Sequence, residues 1–300
     1  MSTARQPGRA GLRSARRRTA LLGSAVFFAG GSPVAWAAGA RTSAPLASPE
    51  ARLIEIYRLI GQARTREALE KAQTLVRDVP NFQLAQLVHG DLLMARRAPL
   101  PGVGGGLSGL NAEQSEQLAQ WRREAQLRLK ALQEAPPRDA LPRQFLELPA
   151  STRHAIAVDA ARARLYLFER EDGQLRVKAH HYASLGRLGI GKQTEGDQRT
   201  PLGVYYITSR LDPEQLKDFY GAGALPLNYP NEYDRRLGRS GSGIWLHGVP
   251  SESYARSPQT TDGCVALAND DLGGLLRTVQ PRSTPVVIAD RLEWLRPEQL

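Results

Sequence analysis

At about His154 the apolar residues change their spacing, and the change divides the chain into a helical part and a β part. Before it, Leu53, Ile56, Tyr57 and Ile60, then Ala68, Leu69, Ala72, Leu75 and Val76, recur at the period of an amphipathic helix. A third apolar face, Leu84, Leu87, Val88, Leu92 and Leu93, follows the break at Pro80-Asn81. The spacing predicts a tetratricopeptide-like hairpin turning near Gly61–Thr65 with one extra helix, and no full second repeat is visible. Beyond the glycine-rich loop Pro99–Gly109, Asn111 with Gln114 predicts a capping box opening a helix that ends near Glu134. After His154 the pattern alternates: His154–Asp159, Arg164–Phe168, Arg176–Ala183, Val204–Ile207, Gly243–His247 and Pro285–Ala289 read as strands. One helix stands out there, with Asn269 as cap and Leu272, Leu275, Leu276 and Val279 as its apolar face. Mostly antiparallel strands without regular intervening helices predict a β sandwich or a partly closed barrel.

The first residues read as an export signal. Arg13, Arg16, Arg17 and Arg18 precede an apolar run, Ala20–Ala29, too short to span a bilayer, and small residues follow at Ala35 and Ala37. Cleavage there predicts a periplasmic protein. Six arginines and no acidic residue lie in Met1–Ala37, so the net charge falls from +10 for the whole chain to +4 for the remainder. That mild charge gives no argument for nucleic acid and suits an anionic polymer such as a cell wall. With a single cysteine the chain can form no internal disulfide.

That cysteine is the chemical focus. Cys264 lies in Thr261-Asp262-Gly263-Cys264, downstream of His247-Gly248, and an imidazole can generate a thiolate nucleophile at neutral pH. Packing as a small hydrophobe is the usual fate of a free cysteine, and an ordered set of motifs is what argues otherwise. Val158-Asp159 with Leu165–Phe168, Glu195–Gly203, Ile244-Trp245-Leu246-His247-Gly248 and Asp262-Gly263-Cys264-Val265 follow one another in the order of the L,D-transpeptidase (YkuD) catalytic domain, and the chain resembles that family over roughly Arg153–Asp290.

The resemblance implies an L,D-transpeptidase-like β sandwich whose cysteine faces a groove for peptidoglycan stem peptides. It implies Cys264 as nucleophile, His247 as general base and acid, the Gly248 carbonyl as the group that orients the ring, and the Gly263 amide, with that of Cys264, as oxyanion donors. The sequence departs from the common motif twice. Thr261 stands where serine is usual and keeps a hydroxyl. Ala266 stands where arginine is usual, so the customary cation for a substrate carboxylate is missing. Arg199, Lys192 and Arg239 are the replacement candidates, and Tyr229 lies in a loop, Tyr229–Asp234, that with Gly238–Gly243 could cover the groove. The Asp-Gly-Cys-Val-Ala variant resembles a branch that includes L,D-carboxypeptidases and hydrolases releasing wall-attached lipoprotein.

Three readings stay open: a transpeptidase, a hydrolase using the same cysteine, and a non-catalytic wall-binding scaffold. The helical region either recruits a partner such as lipoprotein or another wall enzyme, or braces the catalytic domain. No cofactor is expected. Neighbouring His180 and His181 point to opposite faces of a strand, which argues against a metal site. Gly186–Gln193 misses a phosphate-binding loop because Gln193 holds the Ser/Thr position, so no nucleotide is expected. The expected organisation is a signal peptide at 1–37, a spacer at 38–47, helices at 48–135, a linker at 136–152, the catalytic domain at 153–291 and a tail at 292–300.

Overall fold

The computed structural model describes residues 48–137, 139–145 and 148–296. The expected signal peptide and spacer, and the last residues of the tail, lie outside them. No described helix is long and apolar enough to cross a membrane.

Four helices come first: α1 (Pro49–Gly61), α2 (Thr65–Asp78), α3 (Gln83–Met94) and α4 (Ala112–Gln133). Ser48 accepts from the Ala51 amide to cap α1, with Pro49 in the first turn, where its missing N–H costs nothing. The Asn111–Gln114 capping box opens α4 as its sequence predicts. α1 packs on α2 and α2 on α3, burying Leu53, Ile56, Ala72, Leu75, Leu84 and Val88. The long segment Ala95–Asn111 separates α3 from α4, and the expected hairpin with one extra helix stands as α1, α2 and α3.

The β part comprises β1 (Leu141–Pro142), β2 (His154–Asp159), β3 (Arg164–Glu171), β4 (Gln174–Gly186), β5 (Gly203–Tyr206), β6 (Ala224–Pro226), the short α5 (Glu232–Arg236), β7 (Trp245–His247), β8 (Gln259–Thr261), β9 (Val265–Leu267), α6 (Asn269–Thr278), β10 (Pro285–Ala289) and β11 (Trp294–Leu295). The main sheet runs β5-β10-β2-β3-β4-β9-β7-β6, with β8 beside β4. β10 pairs parallel with β2, β7 with β9, and β8 with β4, so the sheet is mixed. The expected sandwich is instead one curled sheet. β4 bends from β3 onto β9 and β8, and the two edges meet where Ile207 bridges Leu227 and the Asn228 amide donates to the Tyr206 carbonyl at 3.1 Å.

Both faces of β2 are buried. Ile156 and Val158 face the core that holds α6 through Leu272, Leu275 and Val279, whereas Ala155 and Ala157 face Phe145, Phe168 and Leu292. The expected linker and tail therefore have a different character: Leu141 and Pro142 pair with Leu295 and Trp294, and Trp294 packs edge-on against Tyr166 at 4.9 Å. They cover one face of the sheet, because β2 and β3 are apolar on both sides.

The helical part packs onto the β part. Tyr254 and Ala268 join the core of α1–α3, and the rings of Phe82 and Tyr254 are 4.1 Å apart. Beneath them Glu50 of α1 accepts from Arg164 of β3 at 2.8 and 3.0 Å and from Arg128 of α4 at 2.6 Å, and Arg128 also pairs with Glu124. Burial opposes ionisation of Glu50, yet the two guanidinium groups hold its carboxyl well below the usual range. This arrangement ties the helical part to the β part.

Candidate active site

His247 ends β7, and Cys264 directly precedes β9. Parallel pairing sets Leu246 opposite Val265 and His247 opposite Ala266. Continued by one residue, that register puts Cys264 opposite Trp245, so Cys264 and His247 rise from the same face of adjacent strands. The Trp245 amide is bonded to the Cys264 sulfur. The partly buried thiol donates to the Gly243 carbonyl at 3.3 Å.

The His247 ring is 1 % exposed, and its Nδ1 lies 2.6 Å from the Gly248 carbonyl oxygen. A carbonyl only accepts, so Nδ1 carries the proton and Nε2 keeps its lone pair. Burial pushes the imidazole down to about 4, with the Gly248 bond opposing and the Arg256 charge adding to the fall. Burial likewise pushes the Cys264 thiol up, against the Trp245 bond. The resting pair is therefore a neutral thiol and a neutral imidazole.

Two glycines are dictated by close approach. A Cβ on Gly248 would lie 2.2 Å from Asn269 Oδ1 and 2.8 Å from the Ala222 nitrogen. Gly263 has φ +123°, and a Cβ there would meet the Arg199 carbonyl oxygen at 2.7 Å. The cysteine turn is closed by Thr261, whose hydroxyl donates to the Cys264 carbonyl at 2.7 Å and accepts from the Gly263 amide at 3.1 Å. Thr261 builds the turn and is 3 % exposed, and the Gly263 amide is already committed within that turn.

Asn269 also differs from its expected part. It is the first residue of α6, with Ala268 at the cap position, and its side-chain oxygen accepts from the Ala222 and Val249 amides while its nitrogen donates to the Val249 carbonyl. It thus holds the strand end on which Gly248 sits. An amide side chain does this better than capping because it offers donor and acceptor together.

The remaining substrate-binding candidates divide. Arg199 is exposed, with one guanidinium nitrogen 3.1 Å from the Ile190 carbonyl. Lys192 is 3 % exposed and bound to Asp197 at 2.9 Å and to the Thr194 carbonyl at 3.0 Å. Asp197 also accepts from the amides of Gln193, Thr194 and Arg199, which makes it the centre of this loop. Arg239 pairs with Asp234 at 2.8 Å, and the buried Tyr229 donates to the Ser240 carbonyl at 3.0 Å. Lys192, Arg239 and Tyr229 therefore hold the loops beside the cysteine; Lys192 and Tyr229 are engaged internally, and Arg239 pairs with Asp234 while its Nε is buried without a partner. The expected covering loops are similarly tied: Asn231 and Asp234 form a capping box for α5, and Ser240 bonds Gln193 and Glu195.

The sequence reading missed Arg256 and Phe219. Phe219 stacks on His247 at 6.0 Å between centroids, and Arg256 lies 4.2 Å from the Phe219 ring. Phe219 sits in a single 3-10 turn, Asp218–Tyr220, and Arg256 in an irregular segment, both too short for periodicity to carry a signal. Among the described residues no group of three or more His, Cys, Asp or Glu side chains is placed to hold a metal.

Residues 153–288 match the profile of the YkuD, L,D-transpeptidase catalytic domain. No curated protein matches the chain. Among solved structures, the chain is similar to Bd1075 of Bdellovibrio bacteriovorus, at 31% identity over 54% of this chain and 56% of that one, with a TM-score of 0.43. It is similar to the helical cell shape determining protein Pgp2 of Campylobacter jejuni, at 29% identity over 47% and 48% of the two chains, with a TM-score of 0.42. It is also similar to an L,D-transpeptidase from Stackebrandtia nassauensis, at 16% identity over 71% and 80%, with a TM-score of 0.34. The matched part spans about half the length of the first two proteins. Residues 153–288 of this chain are thus similar to the L,D-transpeptidase catalytic domain of the YkuD family.

Proposed function

We propose that this protein is a periplasmic, cysteine-dependent L,D-transpeptidase acting on tetrapeptide stems of peptidoglycan. The observation that carries the reading is the Nδ1–Gly248 bond, which leaves Nε2 of His247 unprotonated on β7, the strand beside the one that Cys264 precedes. Cys264 Sγ attacks the carbonyl at the L-centre of the third stem residue as its proton passes to His247 Nε2. The Cys264 amide is the oxyanion donor that remains once Gly263 is bound to Thr261. Collapse breaks the C–N bond, the leaving D-alanine amine takes the proton from His247, and a thioester remains. An amine from a second stem, deprotonated by His247, then forms a new amide and frees the thiol.

A neutral resting pair fits this sequence, because proton transfer and attack then occur together without a stored ion pair. The six arginines near the start, and the apolar run behind them, support export.

A second reading, hydrolysis by the same cysteine, is favoured by Ala266, which removes the customary cation from its place on β9. The experiment is to incubate the chain, with Cys264→Ala as control, with disaccharide tetrapeptide and identify products by mass spectrometry. A cysteine-dependent dimer with loss of alanine supports transpeptidation; tripeptide alone supports the carboxypeptidase; no cysteine-dependent product sinks these two and leaves bond cleavage on intact wall, or binding without catalysis.

A further inference from the structure

The site lacks an arginine at Ala266, yet a different arginine has been brought to it by the loop that joins His247 to Cys264. Arg256 stacks on Phe219 at 4.2 Å, and Phe219 stacks in turn on the His247 ring at 6.0 Å. Its charge bears on both His247 and Cys264. Among the described residues no carboxylate pairs with it, and its Nε is shielded from solvent without a hydrogen-bond partner. Asp262 and Arg187 are the other charges that act on it, with opposite signs. Buried Nε atoms of this kind also occur on Arg239 and Arg164, so what sets Arg256 apart is a guanidinium beside the reactive centre with no carboxylate partner, whose terminal nitrogens can receive an anion.

We propose that Arg256 binds the terminal carboxylate of the D-amino acid that the reaction expels. The assignment rests on the functional reading above. In that reaction His247 protonates the leaving amine, and the carboxylate hangs from the same carbon as that amine. The cation that holds it must therefore stand beside the imidazole, which is where the Phe219 stack puts Arg256. Arg199, by contrast, packs its backbone under Gly263, on the cysteine side.

The position of Arg256 is held from the helical part. The Tyr254 amide donates to the Asn81 carbonyl at 3.0 Å, Asn81 Nδ2 donates to the Ser251 carbonyl at 3.1 Å, and Tyr182 donates to the Arg256 carbonyl at 3.0 Å. Phe82 completes the grip on Tyr254. The turn between α2 and α3 thus pins the segment just before Arg256 and Tyr182 of β4 pins Arg256 itself, which keeps the guanidinium ordered before substrate arrives.

The test compares two tetrapeptide substrates, one ending in D-alanine and one in D-alaninamide, on the full chain, on Arg256→Gln and on Arg256→Lys. The readout is release of D-alanine or its amide. The wild type is expected to favour the carboxylate by roughly 10- to 100-fold in kcat/KM. Arg256→Gln is expected to lose about that factor on the carboxylate substrate and to show almost no preference between the two, while Arg256→Lys recovers part of it. Equal losses on both substrates would mark a structural role and overturn the assignment. So would a preference that survives in Arg256→Gln and disappears in Arg199→Gln. A wild type that releases nothing from either peptide overturns the functional reading itself, a result distinct from loss of selectivity.

Discussion

The Nδ1 of His247 is bound 2.6 Å from the carbonyl oxygen of its own neighbour, Gly248, so the ring is oriented by the backbone rather than by an acidic side chain. A carbonyl cannot take up the proton, and the tautomer with a free Nε2 is enforced at every pH where the ring is neutral. The carbonyl stays in place because Gly248 allows the chain to pass close to Asn269 and Ala222. Gly248→Ala is expected to lower kcat/KM for D-alanine release by roughly 100-fold, since a small misplacement of a base is costly. Asn269→Ala should act in the same direction more weakly. Full activity in Gly248→Ala would remove the orienting role of that carbonyl.

Thr261 supplies one hydroxyl to two ends of the cysteine turn. Thr261→Val keeps the shape and removes both bonds, and a fall of roughly 10- to 100-fold in kcat is expected, with the KM little changed. Thr261→Ser should retain most of the activity. Equal activity in the valine and serine variants would contradict this account.

The pH behaviour follows from burial. His247 titrates at about 4 in the folded chain and near 6.5 when unfolded, so between these values the unfolded state binds more protons. Stability is then expected to fall as pH drops from about 6.5 towards 4, by on the order of 3 kcal/mol from this group. Urea midpoints measured across that window check it, and in His247→Asn the slope should flatten. The acid limb of kcat/KM is expected near pH 4, and alkylation of Cys264 by iodoacetamide should keep rising above pH 9, because burial raises the thiol.

Glu50 lies between Arg164 of the sheet and Arg128 of α4, both almost fully buried. Removing the central carboxylate leaves two guanidinium groups without their shared partner. Glu50→Gln is expected to cost about 3–5 kcal/mol in urea unfolding. The helical and β signals should shift together, because Glu50 and Arg164 join the two parts. A change confined to the helical signal would show that the two parts fold separately.

Much of this was legible in the chain. The capping box at Asn111 and the first hairpin at Gly61–Thr65 rest on local signals, and the structure places α4 and α1–α2 where those signals lie. The strands of the β part were visible through alternation, except where they are short. β8 and β9, three residues each, and α5 lie below the length at which periodicity is informative. Alternation allowed a sandwich or a partly closed barrel, and the choice of one curled sheet was not legible, because it depends on β4 bending between partners distant in sequence and on Ile207 reaching Leu227. The Asn269 cap failed for a related reason: a capping side chain is a local choice, and here two remote amides and a carbonyl outcompete it.

The sequence by itself determined the chemical types. The one cysteine follows Asp-Gly, His247 precedes a glycine, and alanine replaces arginine after the cysteine; these are covalent facts that no folding alters. Tertiary structure decided which charges are free to act. Lys192 and Arg239 resemble available cations in the sequence, but Asp197 and Asp234 claim them. Arg256 carries no motif, yet Phe219 and the grip on its loop set it beside His247. A side chain's charge is written in its residue type, whereas its partners depend on which distant segments the curled sheet and the helical brace bring within hydrogen-bond reach.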